Sequence, residues 1–233
     1  MSVRLGISPI GWSNDDLPEL GGDIPLDTCL AEACKSGFEG IELGRKFPRE
    51  PALLQSLLAH HELQLVSGWY SGRLTELADR LAERGIRLAY HHHVGTVVET
   101  TAEIDRLMAA TGGSVGLLLD TGHLAFAGVD PADVAWRHRL RINHVHCKDV
   151  RPGVLARAPA ADQSFLDAVL DGVFTVPGDG AIDFVAVLSA LKGANYRGWL
   201  VVEAEQDPAE APPLVYARRG FAHLSAAVRE TGW

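Results

Sequence analysis

A TIM-type (β/α) barrel is the fold this sequence predicts, and three observations carry the prediction. Short apolar runs alternate with amphipathic stretches along the whole chain, the pattern of βαβ units and a parallel sheet covered by helices. No GxGxxG opens the first helix, so nothing marks an open dinucleotide-binding sheet. The ionisable residues gather at the C-terminal ends of at least four strand candidates, and strand ends are where a barrel assembles its chemistry.

The elements follow in order. Strand candidates are VRLGIS (3–8), FEGIEL (38–43), LQLVSG (63–68), IRLAYHHH (86–93), VGLLLD (115–120), INHVHCKD (142–149) and WLVVEAE (199–205). Helices are predicted over 26–37, 50–61, 75–85 and 100–113. In TELADRLAERG, Leu77, Ala78, Leu81 and Ala82 form one apolar stripe, as a helix packed on a sheet requires. Gly37, Gly85 and Gly112 follow three of these helices and are read as left-handed caps. The connection 150–198 is long and irregular, with a short helix, a Pro/Gly turn and a further helix across 182–192. Long loops at the catalytic end of a scaffold are often functional.

The count is seven strands, and 233 residues fall short of the roughly 250 of an ordinary barrel. SGWYSGRLTELADRL passes at once from the third strand into the next helix. The barrel therefore lacks one internal strand–helix unit after residue 72, and residues 1–233 are read as a single domain.

Composition narrows the function. The chain is 47% hydrophobic and 22% charged, with a formal net charge of −9. No basic run is present, which argues against nucleic acid as a partner. No segment approaches the roughly 18 apolar residues of a membrane span. The start, MSVRLGISPIGW, lacks the basic and apolar regions of a signal peptide, so the expected location is cytoplasmic. Cys29, Cys34 and Cys147 form neither a disulfide framework nor a CxxC pair.

Side chains alternate along a strand with period two. His91 and His93 therefore share one side of their strand, with His92 on the other. His144, His146 and Lys148 share a side, as do Glu203 and Glu205; Asp120 ends its strand, and His123 follows on the turn. Four strand ends thus offer His, Asp, His and Glu to one mouth, a donor set that suits a divalent metal. Each residue also has a plainer reading. His92 is expected to be merely hydrogen-bonded, Asp120 would serve as a helix N-cap, and Lys148 would pair with Asp149. The segments NDD (14–16) and GRK (44–46) follow the first two strands and either bind a hydroxyl-rich ligand or are ordinary loop composition.

The stretches ISPIGWSNDDLPELGGDI, YHHHVGT, LLLDTGHLAFAG, INHVHCKDVR, GVFTVPGDGAIDF and GWLVVEAEQDP together resemble the myo-inosose-2 dehydratase family. That family is a branch of the xylose-isomerase-like barrel superfamily, which also holds the family 2 AP endonucleases. The resemblance runs from residue 5 to about residue 220. It implies a divalent metal, Mn²⁺ or Co²⁺ with Mg²⁺ as an alternative, held by His91, Asp120, His146 and Glu203. Related enzymes carry Glu at the position of His91. It further implies that His93, His123 and Lys148, the candidate catalytic residues, line the substrate site, with Arg151 just beyond to hold a hydroxyl; Asn14 and Lys46 of the NDD and GRK loops, Trp69 and Glu205 are the other candidate substrate contacts. Glutathione is a further implied cofactor, and a homo-oligomer a further implied assembly.

The implied reaction is loss of water from 2-keto-myo-inositol to a trihydroxycyclohexane-1,2-dione, in inositol catabolism. His93 and His123 are expected to titrate near neutral pH and to move protons. Lys148 is expected either to have a lowered pKa or to stay charged and polarise an oxygen. Two alternatives stand beside this one: a sugar epimerase or isomerase on the same metal, and a catalytically weakened remnant. The remnant reading comes from the missing unit, which members of the branch carry between SGWYSG and the helix before YHHH. Its loss leaves a gap in the sheet with unpaired edges.

Overall fold

Seven apolar runs pair side by side in one parallel sheet in the computed structural model, which describes residues 3–15, 17–69, 74–157 and 164–233. The strands are β1 (Val3–Ile7), β2 (Gly40–Ile41), β3 (Gln64–Leu65), β4 (Leu88–His91), β5 (Val115–Asp120), β6 (Ile142–Cys147) and, after a separate short pair, β9 (Gly198–Val202). Their order in the sheet is β3-β2-β1-β9-β6-β5-β4. The first and last strands pair from Val3 against Gly198 to Ile7 against Val202, so the sheet wraps round through the two ends of the chain. The separate pair is β7 (Asp149–Val150) and β8 (Phe174–Thr175), which run antiparallel inside the long connection.

This strand order is a barrel opened at one place. Every strand adjoins its neighbour in chain order except β3 and β4, the two edges of the sheet. The strand-deficient barrel predicted above is therefore observed, with the break at the predicted joint. Residues 70–73, where the joint falls, lie outside the described residues, as does Asp16 of the NDD segment. Both residues of β3 are exposed, and a free strand edge presents unpaired N–H and C=O groups to other chains. Leu65 on that edge is exposed, and Leu65→Lys is expected to lower concentration-dependent association in light scattering. Unchanged scattering would show that this edge attracts nothing.

The helices cover the outside. They are α1 (Leu26–Lys35), α2 (Pro51–His60), α3 (Leu74–Ala82), α4 (Thr101–Ala110), α5 (Thr121–Phe126), α6 (Pro131–His138), α7 (Pro152–Leu155), α8 (Phe165–Leu170), α9 (Phe184–Gly193) and α10 (Pro213–Glu230). The core forms where the outward faces of the central strands meet them. Leu117 and Leu119 of β5 are fully buried in the same apolar cluster as Ile104, Met108, Val134, Leu188 and Leu191. Local signals set the helix ends: Thr100 and Glu103 close a reciprocal capping box on α4. Gly37 and Gly85 take φ of 102° and 72°, the left-handed caps expected of them. Gly112 does not adopt a positive φ; α4 ends instead on Thr111 in extended backbone, so the third cap is corrected. No helix among the described residues is long and apolar enough to cross a membrane.

The long connection is ordered by Asp149. This buried carboxylate accepts from the backbone N–H of Val150 at 2.8 Å, Gly178 at 3.0 Å, Gly180 at 3.1 Å and Ile182 at 3.0 Å. Hydrogen bonds to a charged acceptor contribute about 1.5–3 kcal/mol each, not additively. Asp149→Ala is expected to cost about 3 kcal/mol overall, read by urea unfolding. A loss near zero would mean that the 178–182 turn holds itself.

Candidate metal centre

Parallel register brings the donors to one level. Asp120 on β5 stands opposite His146 on β6, and His146 opposite Val201 on β9, two residues before Glu203. His91, the last residue of β4, pairs with Leu118, two residues before Asp120. Each donor therefore sits where a strand gives way to its loop, and alternation turns it towards the barrel interior.

The four predicted ligands converge. Oδ2 of Asp120 is 3.4 Å from His91 Nε2 and 3.4 Å from His146 Nδ1. His146 Nδ1 is 2.7 Å from Glu203 Oε2. Donor atoms of Asp120, His146 and Glu203 all lie within 4.8 Å of one another. Asp120, His146 and Glu203 are buried, and His91 is nearly so.

Asp120 fills both roles anticipated for it. Its Oδ1 accepts the His123 N–H at 2.9 Å and caps α5, while Oδ2 faces the other donors. His146 Nδ1 and Glu203 Oε2 face each other, yet neither has a hydrogen-bond partner of adequate geometry among the described residues. Buried polar atoms without partners are costly. An imidazole nitrogen and a carboxylate oxygen facing each other at this depth, with a second carboxylate and imidazole beside them, are a donor set that fits a divalent cation of mixed N/O preference once one displaces the proton.

The charges around the space are strongly perturbed. Burial pushes the Asp120 carboxyl up, but Lys148 and His123 overcome it and hold the group well below its usual range. Burial likewise opposes Glu203, which His146 and Lys148 bring down to about 2. His146 is pushed down by burial but raised well above an ordinary imidazole by Glu203 and Glu42. Burial leads in lowering His91.

Lys148 is fully buried, with Nζ 2.6 Å from Glu205, 2.8 Å from Glu203, 3.0 Å from His123 Nε2 and 3.6 Å from Asp120. Burial opposes its charge, but Asp120, Glu203 and Glu205 raise its pKa. The direction of that shift and the three carboxylates around Nζ favour the charged reading of Lys148, whose ion pairs are with Glu203 and Glu205 rather than Asp149. Gly122 makes the room: a Cβ there would lie 2.5 Å from Lys148 Cγ.

His123 and His93 lie against each other beside this cluster, ring centroids 3.8 Å apart and planes tilted by 42°. Burial and the Lys148 charge hold His123 well below the neutral range. This corrects the expectation that His123 titrates near pH 7. It accepts from Lys148 through Nε2, so Nδ1 carries its hydrogen. His93 donates through Nδ1 to the Val94 carbonyl at 2.7 Å, a bond that does not use Nε2. His92 behaves as expected of a structural residue, accepting the Asp120 backbone N–H at 3.2 Å.

Of the predicted substrate contacts, Glu205 and Trp69 reach the site. The donor atoms of His93, His123 and Glu205 cluster within 4.8 Å. Trp69, 60% exposed, sets its ring 5.2 Å from His91 and 6.1 Å from His146. The structure does not bring the other three there. Asn14 accepts the Leu17 N–H and shapes its own loop. Lys46 donates to the carbonyls of Gly21 and Ile24. Arg151 bonds Gly172, Thr175 and Asp179, and Arg219 pairs with the same Asp179. In the structure these cations fasten loops.

Two residues at the site were not singled out from sequence. Phe165 of α8 packs its ring 5.5 Å from His93 and 6.0 Å from His123. Glu42, just after β2, is 1% exposed and bonds His144 and His146. The available signal for Glu42 was a lone carboxylate closing an apolar strand.

Fold and site together define a class: a (β/α) barrel with a buried cluster of imidazoles and carboxylates that could hold a metal ion at the C-terminal mouth of its strands. The chain belongs to the xylose isomerase-like TIM barrel family, whose model matches residues 68–227. It is similar to the rhizopine catabolism protein MocC of Rhizobium meliloti, 44% identical over 100% of this chain and 91% of that protein. It is also similar to an inosose dehydratase of Geobacillus thermodenitrificans, 40% identical over 95% of this chain and 96% of the relative. Among solved structures, a xylose isomerase domain protein of Alicyclobacillus acidocaldarius matches with a TM-score of 0.69 at 18% identity, covering 100% of both chains. The IOLI protein, solved with a zinc atom, matches with a TM-score of 0.58 at 17% identity, covering 98% of this chain and 97% of its own. The MocC alignment runs over 295 positions, 62 more than this chain has residues. The relative therefore carries residues that this chain lacks.

Proposed function

We propose that this chain is a hydro-lyase that removes water from 2-keto-myo-inositol, giving a trihydroxycyclohexane-1,2-dione, as its inosose dehydratase relatives are named to do. The observation that carries this reading is the pairing of two features in one pocket: the His91, Asp120, His146 and Glu203 donor set, and beside it a histidine, His93, whose backbone bond does not use Nε2. In this reading His91, Asp120, His146 and Glu203 would hold Mn²⁺ or Co²⁺, which would supply Lewis acidity towards a ketone. Residues 1–233 act as one domain. Glutathione, the other cofactor that the resemblance brings, has no step here.

The chain's own residues do the rest. His93 Nε2 takes the proton from the carbon next to the ketone, and the proton passes on to the neighbouring hydroxyl, which departs as water. Proton transfer by a positioned side chain is worth on the order of 10²–10⁴ in rate. His123 Nδ1–H donates to a substrate oxygen as a neutral imidazole, held in that form by Lys148. Glu205 accepts a substrate hydroxyl, while Trp69 and Phe165 flank the ring and exclude water.

The test is turnover of 2-keto-myo-inositol with and without Mn²⁺, followed through the ultraviolet absorbance of an enone-type product. Metal-dependent appearance of that product is expected. Formation of an epimer with no new absorbance would move the assignment to an epimerase. One observation favours a second reading, a weakened metal-binding form: the sheet is open between β3 and β4, its two edge strands. Mn²⁺ binding without turnover would select it.

A further inference from the structure

We propose that Glu42 is a positioning residue for the cation site, fixing the His146 ring so that Nδ1, and not Nε2, is the coordinating atom. The inference rests on the reading of His146 as a metal ligand. Glu42 lies at the end of β2, across the barrel from β6, and reaches the interior with a single oxygen loaded by three donors. Oε1 accepts from Ser67 Oγ at 2.6 Å, His144 Nε2 at 2.9 Å and His146 Nε2 at 3.2 Å.

A carboxylate can only accept, so Nε2 of His146 carries a hydrogen. That leaves Nδ1 for the opposite side of the ring, where Glu203 Oε2 and Asp120 Oδ2 wait at 2.7 and 3.4 Å. The ring is thus strung between a carboxylate that takes its hydrogen and two that share its other nitrogen with a cation. Glu42 is otherwise hard to account for. A buried carboxylate in a barrel core costs more than an apolar side chain would, and its second oxygen has no hydrogen-bond partner among the described residues. Carboxylates that orient a ligating histidine raise metal affinity, and losing one typically costs 10–100-fold.

What matters in this arrangement is reach rather than charge, and two variants separate them. Glu42→Asp keeps the charge but retracts the oxygen by one methylene. Glu42→Gln keeps an acceptor at the same place without the charge. In Mn²⁺ titrations of the full chain, Glu42→Asp is expected to raise Kd about 10–100-fold, with Glu42→Gln within about threefold of the parent. The visible absorption of the Co²⁺ form should shift in Glu42→Asp and stay unchanged in Glu42→Gln. A parent-like Kd in Glu42→Asp overturns the proposal. Should Glu42→Asp not fold, ring ¹⁵N shifts of His146 in the metal-loaded parent decide: a protonated Nε2 supports the proposal, and a coordinated Nε2 overturns it. A parent chain that binds no Mn²⁺ would instead sink the proposed function itself.

Discussion

His146→Ala is expected to abolish both Mn²⁺ binding and turnover of 2-keto-myo-inositol, and Glu203→Ala to do the same. The two side chains are the closest facing donors in the site, 2.7 Å apart, and each removes a quarter of the donor set. The loss is deeper for His146, because its ring also engages Glu42. Without it, three buried carboxylates, Glu42, Asp120 and Glu203, lose a shared partner at once, and leaving a buried charge uncompensated is strongly destabilising. Titration calorimetry with Mn²⁺ and the absorbance assay read the two effects separately. Retained turnover in either variant would defeat the proposed mechanism.

Lys148→Met has the second largest expected effect, and on stability rather than chemistry alone. In the metal-free protein this ammonium lies among Asp120, Glu203 and Glu205. Removing one partner of a buried ion cluster costs about 3–5 kcal/mol, or on the order of 10 °C in Tm for a chain of this size. Added Mn²⁺ should restore much of it, since a cation re-enters among the same carboxylates.

The pH dependence has a definite sign. Asp120 and Glu203 have folded-state pKa values depressed below the ordinary carboxylate range. Their contribution to stability is therefore present above that range and is lost as pH falls through the folded values. Without Lys148 the depression shrinks, so acid unfolding should begin at higher pH than in the parent. An unmoved acid limb would show that Lys148 does not hold these groups ionised.

The convergence of the candidate donors was legible because two independent regularities agree on it. Strand ends converge in a barrel, and period-two alternation picks which of His91, His92 and His93 look inward. The missing unit was legible as well, since SGWYSG runs directly into a helix pattern. Glu42 was hidden because its partners, His144 and His146, lie about a hundred residues away, and nothing local in FEGIEL says so. The loop-fastening bonds of Lys46 and Arg151 were hidden for the opposite reason: a cation after a strand looks like a ligand contact, and its hydrogen bonds to loop carbonyls and to Asp179 leave no local signal. The β7–β8 pair is only two residues per strand, too short for any periodicity to register.

The most direct measurement is an anomalous difference map from crystals of the full chain grown with Mn²⁺. One peak within about 2.0–2.3 Å of His91 Nε2, Asp120 Oδ2, His146 Nδ1 and Glu203 is predicted. No peak, or a peak elsewhere with these four side chains bonded only to one another, would contradict the account.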